Sequence, residues 1–181
     1  RDGDEIVVTA PRPLVTDLDT LPFPARDTLP LVLRWGRRPM VISSKGCEWN
    51  CTFCGPRAFY AVCPGKKWRG RSAENFVDEM ESLCTKWGVR NIDILDDNFF
   101  PKGEEGIERA YKIGEEVLRR GLRVRFSIEC RVDNVGEELF AFLKTAGLTE
   151  VRLGVESGVQ RLLDRYRKGV TVEENKRAIL L

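Results

Sequence analysis

Three cysteines stand within eight residues, Cys47-Glu48-Trp49-Asn50-Cys51-Thr52-Phe53-Cys54, a C-x3-C-x2-C array. Iron–sulfur clusters are held by cysteine thiolates, usually four of them. Three thiolates leave one iron of a [4Fe-4S] cluster open, able to bind a substrate or cofactor while the cluster carries electrons. Structural zinc is an alternative, but it wants four tetrahedral ligands, and the chain has no histidine. An all-cysteine site would have to recruit Cys63, nine residues beyond Cys54. The same fourth thiolate would favour a cluster-bearing electron-transfer or binding module without catalysis. A disulfide scaffold suits small secreted domains, whereas this chain has six cysteines in 181 residues, a length that can bury a sizeable core.

Other residues fit for chemistry fall in three short groups. These are Asp96-Asp97-Asn98, the alternating Ser127, Glu129 and Arg131, and Glu156-Ser157. In parallel α/β architectures function gathers at the carboxyl ends of strands, so the elements decide whether these groups meet. The pattern alternates. Strands are expected at Met40–Ser44, Asn91–Asp96, Val124–Cys130 and Glu150–Val155. Helices are expected at about Ala73–Trp87, Glu104–Arg120, Glu137–Thr145 and from Thr171 onward. Ser72 and Gly88 bracket the first helix, and Thr171 with Glu174 forms a capping-box pattern before the last. Phe76, Val77, Met80, Leu83 and Cys84 recur at helical spacing, which makes Cys84 a core residue. Ile107, Ala110, Tyr111, Val117 and Leu118 are expected to face inward from the second helix. Strands separated by helices imply parallel βαβ units.

Each expected strand then ends in one of the polar groups, the first leading into the cysteines. On the third strand Phe126, Ile128 and Cys130 take the apolar face, so Ser127, Glu129 and Arg131 look the other way. Polar residues at several strand ends imply a ligand cavity. The alternative is an internal salt-bridge network of Glu129, Arg131, Asp97 and Glu156, which desolvation makes costly without a ligand.

Cysteine array and strand ends together resemble the radical S-adenosylmethionine (SAM) enzymes. The resemblance implies a six-stranded partial (β/α) barrel of TIM type, of which about four parallel βα units are present here. It implies a [4Fe-4S] cluster on Cys47, Cys51 and Cys54, whose open iron chelates SAM and whose electron cleaves it to a 5′-deoxyadenosyl radical. Among the SAM contacts, Phe53 matches the family's aromatic position near adenine. Arg131 suits the carboxylate, Glu129 or Glu156 suits the ribose, Asp97 or Asn98 suits the ammonium, and Ser157 is a further cofactor-binding candidate. Asp96-Asp97-Asn98 stands where the family usually has a glycine-rich motif with a glutamate.

From Asp17 to Lys176 the chain further resembles the branch that carries an N-terminal cobalamin-binding domain. The residues that carry this are Asp17-Leu18-Asp19-Thr20-Leu21-Pro22, Asp96-Asp97-Asn98-Phe99, Leu153-Gly154-Val155-Glu156-Ser157-Gly158 and Lys168-Gly169-Val170-Thr171. It implies an extended interdomain linker at 1–38, the N-terminal part of the barrel at 39–181, and cobalamin held mainly by a domain outside this chain. Methyl transfer to a substrate carbon is the branch's commonest chemistry, with ring rearrangement or cyclisation in other members. A methylthiotransferase is the alternative. An external electron donor is expected in either case.

Composition adds bounds. The chain is 32% charged and 42% hydrophobic with net charge +2, an ordinary globular balance with no footprint for nucleic acid. Lys66-Lys67-Trp68-Arg69-Gly70-Arg71 could contact phosphate, but a solvated loop is the simpler reading. No signal-peptide pattern or bilayer-spanning apolar run is visible, and the cysteine usage points to a reducing, cytoplasmic setting. Five of the nine prolines fall in the first 30 residues, which predicts extended chain there, with a short strand at Ile6-Val7-Val8 and docking through Leu18, Leu21 and Phe23. The last helix runs to Leu181 with no strand after it, so a piece of a longer protein is expected.

Overall fold

The computed structural model describes residues 3–181. Arg1 and Asp2 of the expected linker lie outside them. In chain order the elements are α1 (Leu29–Arg34), β1 (Met40–Val41), β2 (Ser44–Lys45), α2 (Gly55–Ala61), β3 (Arg69–Gly70), α3 (Ala73–Trp87), β4 (Asn91–Ile94), α4 (Glu104–Arg119), β5 (Arg125–Arg131), α5 (Glu137–Thr145), β6 (Leu148–Gly154), α6 (Gln160–Arg165) and α7 (Val172–Leu180). Strands β1, β4, β5 and β6 form one parallel sheet in that spatial order. The core lies on the sheet face covered by α3, α4 and α5, where Phe76, Met80, Ile92, Ile94, Ile113, Phe126, Ile128 and Leu143 are fully buried. This is the expected α/β arrangement.

The helix boundaries follow their caps. Ser72 accepts from the Asn75 amide at the start of α3, and Gly88 closes it at φ 65°. Thr171 and Glu174 form the reciprocal capping box of α7. Cys84 is buried on the apolar face of α3, and burial raises its thiol pKa. On α4 the buried stripe is Ala110, Ile113, Gly114 and Val117, with Tyr111 packed beside it. Gly114 lets α4 approach α5 closely, since a Cβ there would stand 2.5 Å from the Phe142 ring. Ile107 and Leu118, expected inside, sit instead at the solvent edge, 45% and 44% exposed.

The expected strand Met40–Ser44 is split. After Val41 the chain leaves the sheet, and Ser44–Lys45 pairs antiparallel with Arg69–Gly70. The cause is Asp96, a buried carboxylate just beyond β4. It accepts from the amides of Ser43 (2.7 Å) and Ser44 (3.0 Å) and from both hydroxyls (2.5 and 2.8 Å). A side chain thus replaces a strand ladder. Burial still holds the Asp96 pKa above its ordinary value despite these donors.

Two further expectations change. Ile6 and Val8 are 81% and 88% exposed and form no strand, having no neighbouring apolar surface. Residues 29–34 of the expected extended linker are helical, with Leu29 buried in the core. Residues 17–26 dock only in part, with Leu21 and Phe23, expected to dock, still 42% and 40% exposed. Leu18 is buried, the Asp19 carboxylate accepts from the Ser72 amide, and Arg26 pairs with Glu79 at 2.5 Å. The basic stretch is not a solvated loop either. Trp68 and Arg69 are buried, Arg71 pairs with Glu79 at 2.5 Å, and Lys67 donates to the carbonyls of Tyr60 and Cys63. Among the described residues no helix is long and apolar enough to cross a membrane.

Candidate functional site

A cavity of about 400 Å³ opens at the carboxyl ends of β5 and β6 beside the cysteine loop. Cys47, Cys51 and Cys54 all line it. Gly46 admits the chain into this loop at φ 87°, where a Cβ would stand 1.8 Å from the Lys67 carbonyl oxygen. Its amide donates to Asp97 Oδ2 at 2.8 Å. At the far side the Thr52 amide donates to the Tyr166 carbonyl at 2.9 Å, and Phe53 meets the Tyr166 ring edge-on at 5.4 Å. Cys54 then occupies the N-cap position of α2, a helix that sequence patterning did not reveal.

The donor set fits a cluster. Burial raises the thiol pKa values of Cys47 and Cys54, and Coulomb repulsion from the neighbouring cysteines raises them further. Thiolates gathered there need a compensating cation, which iron supplies. Among the described residues no three Cys, Asp or Glu side chains converge to hold a single metal ion.

Six of the seven expected SAM contacts line the same cavity: Phe53, Asp97, Asn98, Glu129, Arg131 and Glu156. Ser157 does not. Its hydroxyl accepts from the Val159 amide at 3.0 Å and stays within its own turn. Asn98 donates its amide hydrogen to the Phe100 carbonyl, and its buried Oδ1 has no partner. That oxygen is closed off from solvent, so Asn98 lines the cavity without presenting Oδ1 to it.

The charged residues are already paired. Glu129 accepts from Arg152 at 3.2 Å, and Glu156, at φ 59°, takes the Lys168 ammonium at 2.9 Å. Arg131 departs most from expectation. Its Nε and Nη2 grip Asp133 at 2.9 and 3.0 Å, and Nη2 also donates to the Lys168 carbonyl at 2.6 Å. Its guanidinium lies 3.5 Å from the centroid of the Trp49 ring. The fork expected for a SAM carboxylate is therefore occupied. Cavity and ion-pair network, posed as alternatives, coexist. Asp97 serves the loop through the Gly46 amide rather than standing free.

Sequence reasoning missed Trp49, Asp133, Arg152 and Lys168 as parts of the site. Trp49 stood inside the cysteine array and Lys168 inside a motif already singled out. Asp133 and Arg152 carried no signal except their place near strand ends.

Residues 41–181 match the Radical SAM superfamily. The chain belongs to that superfamily. Members use a [4Fe-4S] cluster and SAM. This radical SAM chain is 31% identical over 175 residues to an uncharacterised methyltransferase of Pyrococcus horikoshii, covering 93% of this chain and 36% of that protein. It is 33% identical over 193 residues to an anaerobic magnesium-protoporphyrin IX monomethyl ester cyclase of Cereibacter sphaeroides, covering 99% and 29%. The solved structure of the cobalamin-dependent SAM radical enzyme OxsB, with aqua-cobalamin and S-adenosylmethionine bound, superposes with a TM-score of 0.74 at 25% identity, covering 87% of this chain and 24% of that one. The radical SAM chain thus spans about a third or less of the length of these relatives.

Proposed function

We propose that this chain is the cluster- and SAM-binding part of a cobalamin-dependent radical SAM enzyme that methylates a carbon atom of its substrate. The observation that carries it is the meeting of three cysteines with Phe53, Asp97, Asn98, Glu129 and Glu156 around one cavity. When bound, the cluster supplies the electron that cleaves SAM, and cobalamin carries the methyl group. Cys47, Cys51 and Cys54 would hold the cluster. Asp97 or Asn98 in the cavity wall accepts from the SAM ammonium, and Phe53, braced by Tyr166, packs near adenine. Glu129, oriented by Arg152, accepts from a ribose hydroxyl, with Glu156 and Asp97 beside it. Arg131 holds the cysteine loop in place. Residues 1–38 link this unit to a cobalamin-binding domain, the setting is cytoplasmic and reducing, and an external low-potential donor supplies the electron.

The methyltransferase relative favours methyl transfer, and the cobalamin-bound neighbour favours the use of cobalamin. A second reading, ring closure on the same parts, is favoured by the likeness to the cyclase. The longer protein, reconstituted without oxygen, tests both. Methyl-labelled SAM should give 5′-deoxyadenosine and a labelled product. Label absent from the product, with 5′-deoxyadenosine still formed, would move the assignment to ring closure. Replacing Cys47, Cys51 or Cys54 with Ala should abolish the iron and sulfide content, while Cys84→Ala leaves both intact. A full iron complement in Cys51→Ala would overturn the ligand assignment.

A further inference from the structure

We infer that Arg131 sets the reduction potential of the cluster, acting as a buried positive charge on the Cys51 sulfur. The inference rests on Cys51 being a cluster ligand. Arg131 is only 5% exposed, and its Nη1 lies 4.0 Å from Cys51 Sγ. Nε and Nη2 are committed to Asp133 and the Lys168 carbonyl, and the guanidinium is stacked on Trp49. These contacts fix the orientation of the fork and leave Nη1 as the nitrogen directed at sulfur. Solvent screens a charge so placed very little.

Cluster potentials depend on net charge and on hydrogen bonds to the sulfurs. Reduction takes one electron from a low-potential donor and adds one negative charge to the cluster. A cation held beside a ligand sulfur therefore stabilises the reduced form more than the oxidised form. Asp133 opposes this, since its carboxylate partly neutralises Arg131. The arrangement makes Arg131 a positioning and tuning residue, and it makes the two partners act with opposite sign.

An EPR-monitored redox titration of the reconstituted protein without SAM tests this, with dithionite as the electron source. Arg131→Gln should shift the reduction equilibrium about tenfold toward the oxidised cluster, or about 59 mV more negative for one electron. Asp133→Asn should shift it the other way, because Arg131 then acts unopposed. Loosened packing alone would not give opposite signs. Iron and sulfide contents are measured alongside. If the native protein lacks the cluster, the ligand assignment itself fails. Full clusters with no shift, or shifts of one sign in both variants, overturn the tuning role. If Arg131→Gln does not load, Asp133→Asn alone decides, and a negative or absent shift there refutes it.

Discussion

Replacing Gly46 with Ala tests how the cysteine loop is held. Gly46 has φ 87°, and an added Cβ would stand 1.8 Å from the Lys67 carbonyl oxygen and 2.9 Å from its carbon. Both are backbone atoms of the segment leading into β3, so no side chain can swing aside. An ordinary contact needs the two strands about 1.5 Å further apart. That separation breaks the pairing of Ser44 with Gly70 and Lys45 with Arg69, and draws the Gly46 amide away from Asp97. The left-handed backbone costs about 1–2 kcal/mol for a residue with a Cβ, and overpacking about 1–3 kcal/mol more. The total, about 2–5 kcal/mol, is large against a typical domain stability of about 5–15 kcal/mol. In urea this lowers the unfolding midpoint by about 1–2 M at an ordinary slope. Iron retained after reconstitution should fall with it, because the loop that presents Cys47 is displaced. Gly158→Ala is the control. No atom lies within 4 Å of its added Cβ, so its stability should stay within about 0.5 kcal/mol of the native protein. A Gly46→Ala protein as stable as that control, with a full cluster, would refute the account of the loop.

Asp96→Asn should flatten the pH dependence of stability. Burial raises the folded pKa of Asp96 above 3.8, so its favourable contribution is full below the unfolded value and is lost as pH rises through the folded one. Urea midpoints compared from about pH 4 to about pH 8 should converge on the acid side and diverge above it. Glu116→Gln should act in the opposite sense. Hydrogen bonds from Arg119 and Arg120 lower the Glu116 pKa from 4.5 to about 2, so its contribution is present above 4.5 and fades as pH falls toward about 2. A variant whose acid unfolding matches the native protein would remove Glu116 from that role. Asn98→Leu should weaken SAM binding about tenfold or more while leaving the iron content unchanged, as measured by calorimetry on reconstituted protein, because a polar side chain of the cavity wall is lost. Unchanged SAM affinity would return Asn98 to a purely structural role.

The parts of this fold that sequence made legible are those governed by local rules. The apolar stripe of α3, its Ser72 and Gly88 caps, and the Thr171–Glu174 box all rest on spacing within a few residues. The alternation of Phe126, Ile128 and Cys130 against Ser127, Glu129 and Arg131 is equally local, and both faces lie where the pattern put them. Local rules also carried the cysteine array to the right place, since the loop follows directly from the end of the first strand region. The stripe on α4 was harder, because Ile107 and Leu118 lie at its rim, where neighbour contacts decide burial.

What stayed hidden depends on partners far apart in the chain. Nothing near Ser43 and Ser44 announces that a carboxylate 52 and 53 residues later will take their amides and pull the chain off the sheet. Arg131 shows the same limit in the site itself. Its residue type and strand-end position suit a carboxylate ligand, and only the folded chain shows Asp133 and Lys168 already occupying the fork. Charge type therefore placed these residues in the cavity correctly, while pairing decided their role. A buried cation that must be paired before any ligand arrives is better suited to hold and tune a neighbouring group than to capture a free anion. For that reason the strand-end charges divide into two sets. Arg131 is fully engaged by partners of its own, while in the proposed site Glu129, Glu156 and Asp97, with the half-exposed Phe53 ring, meet the ligand.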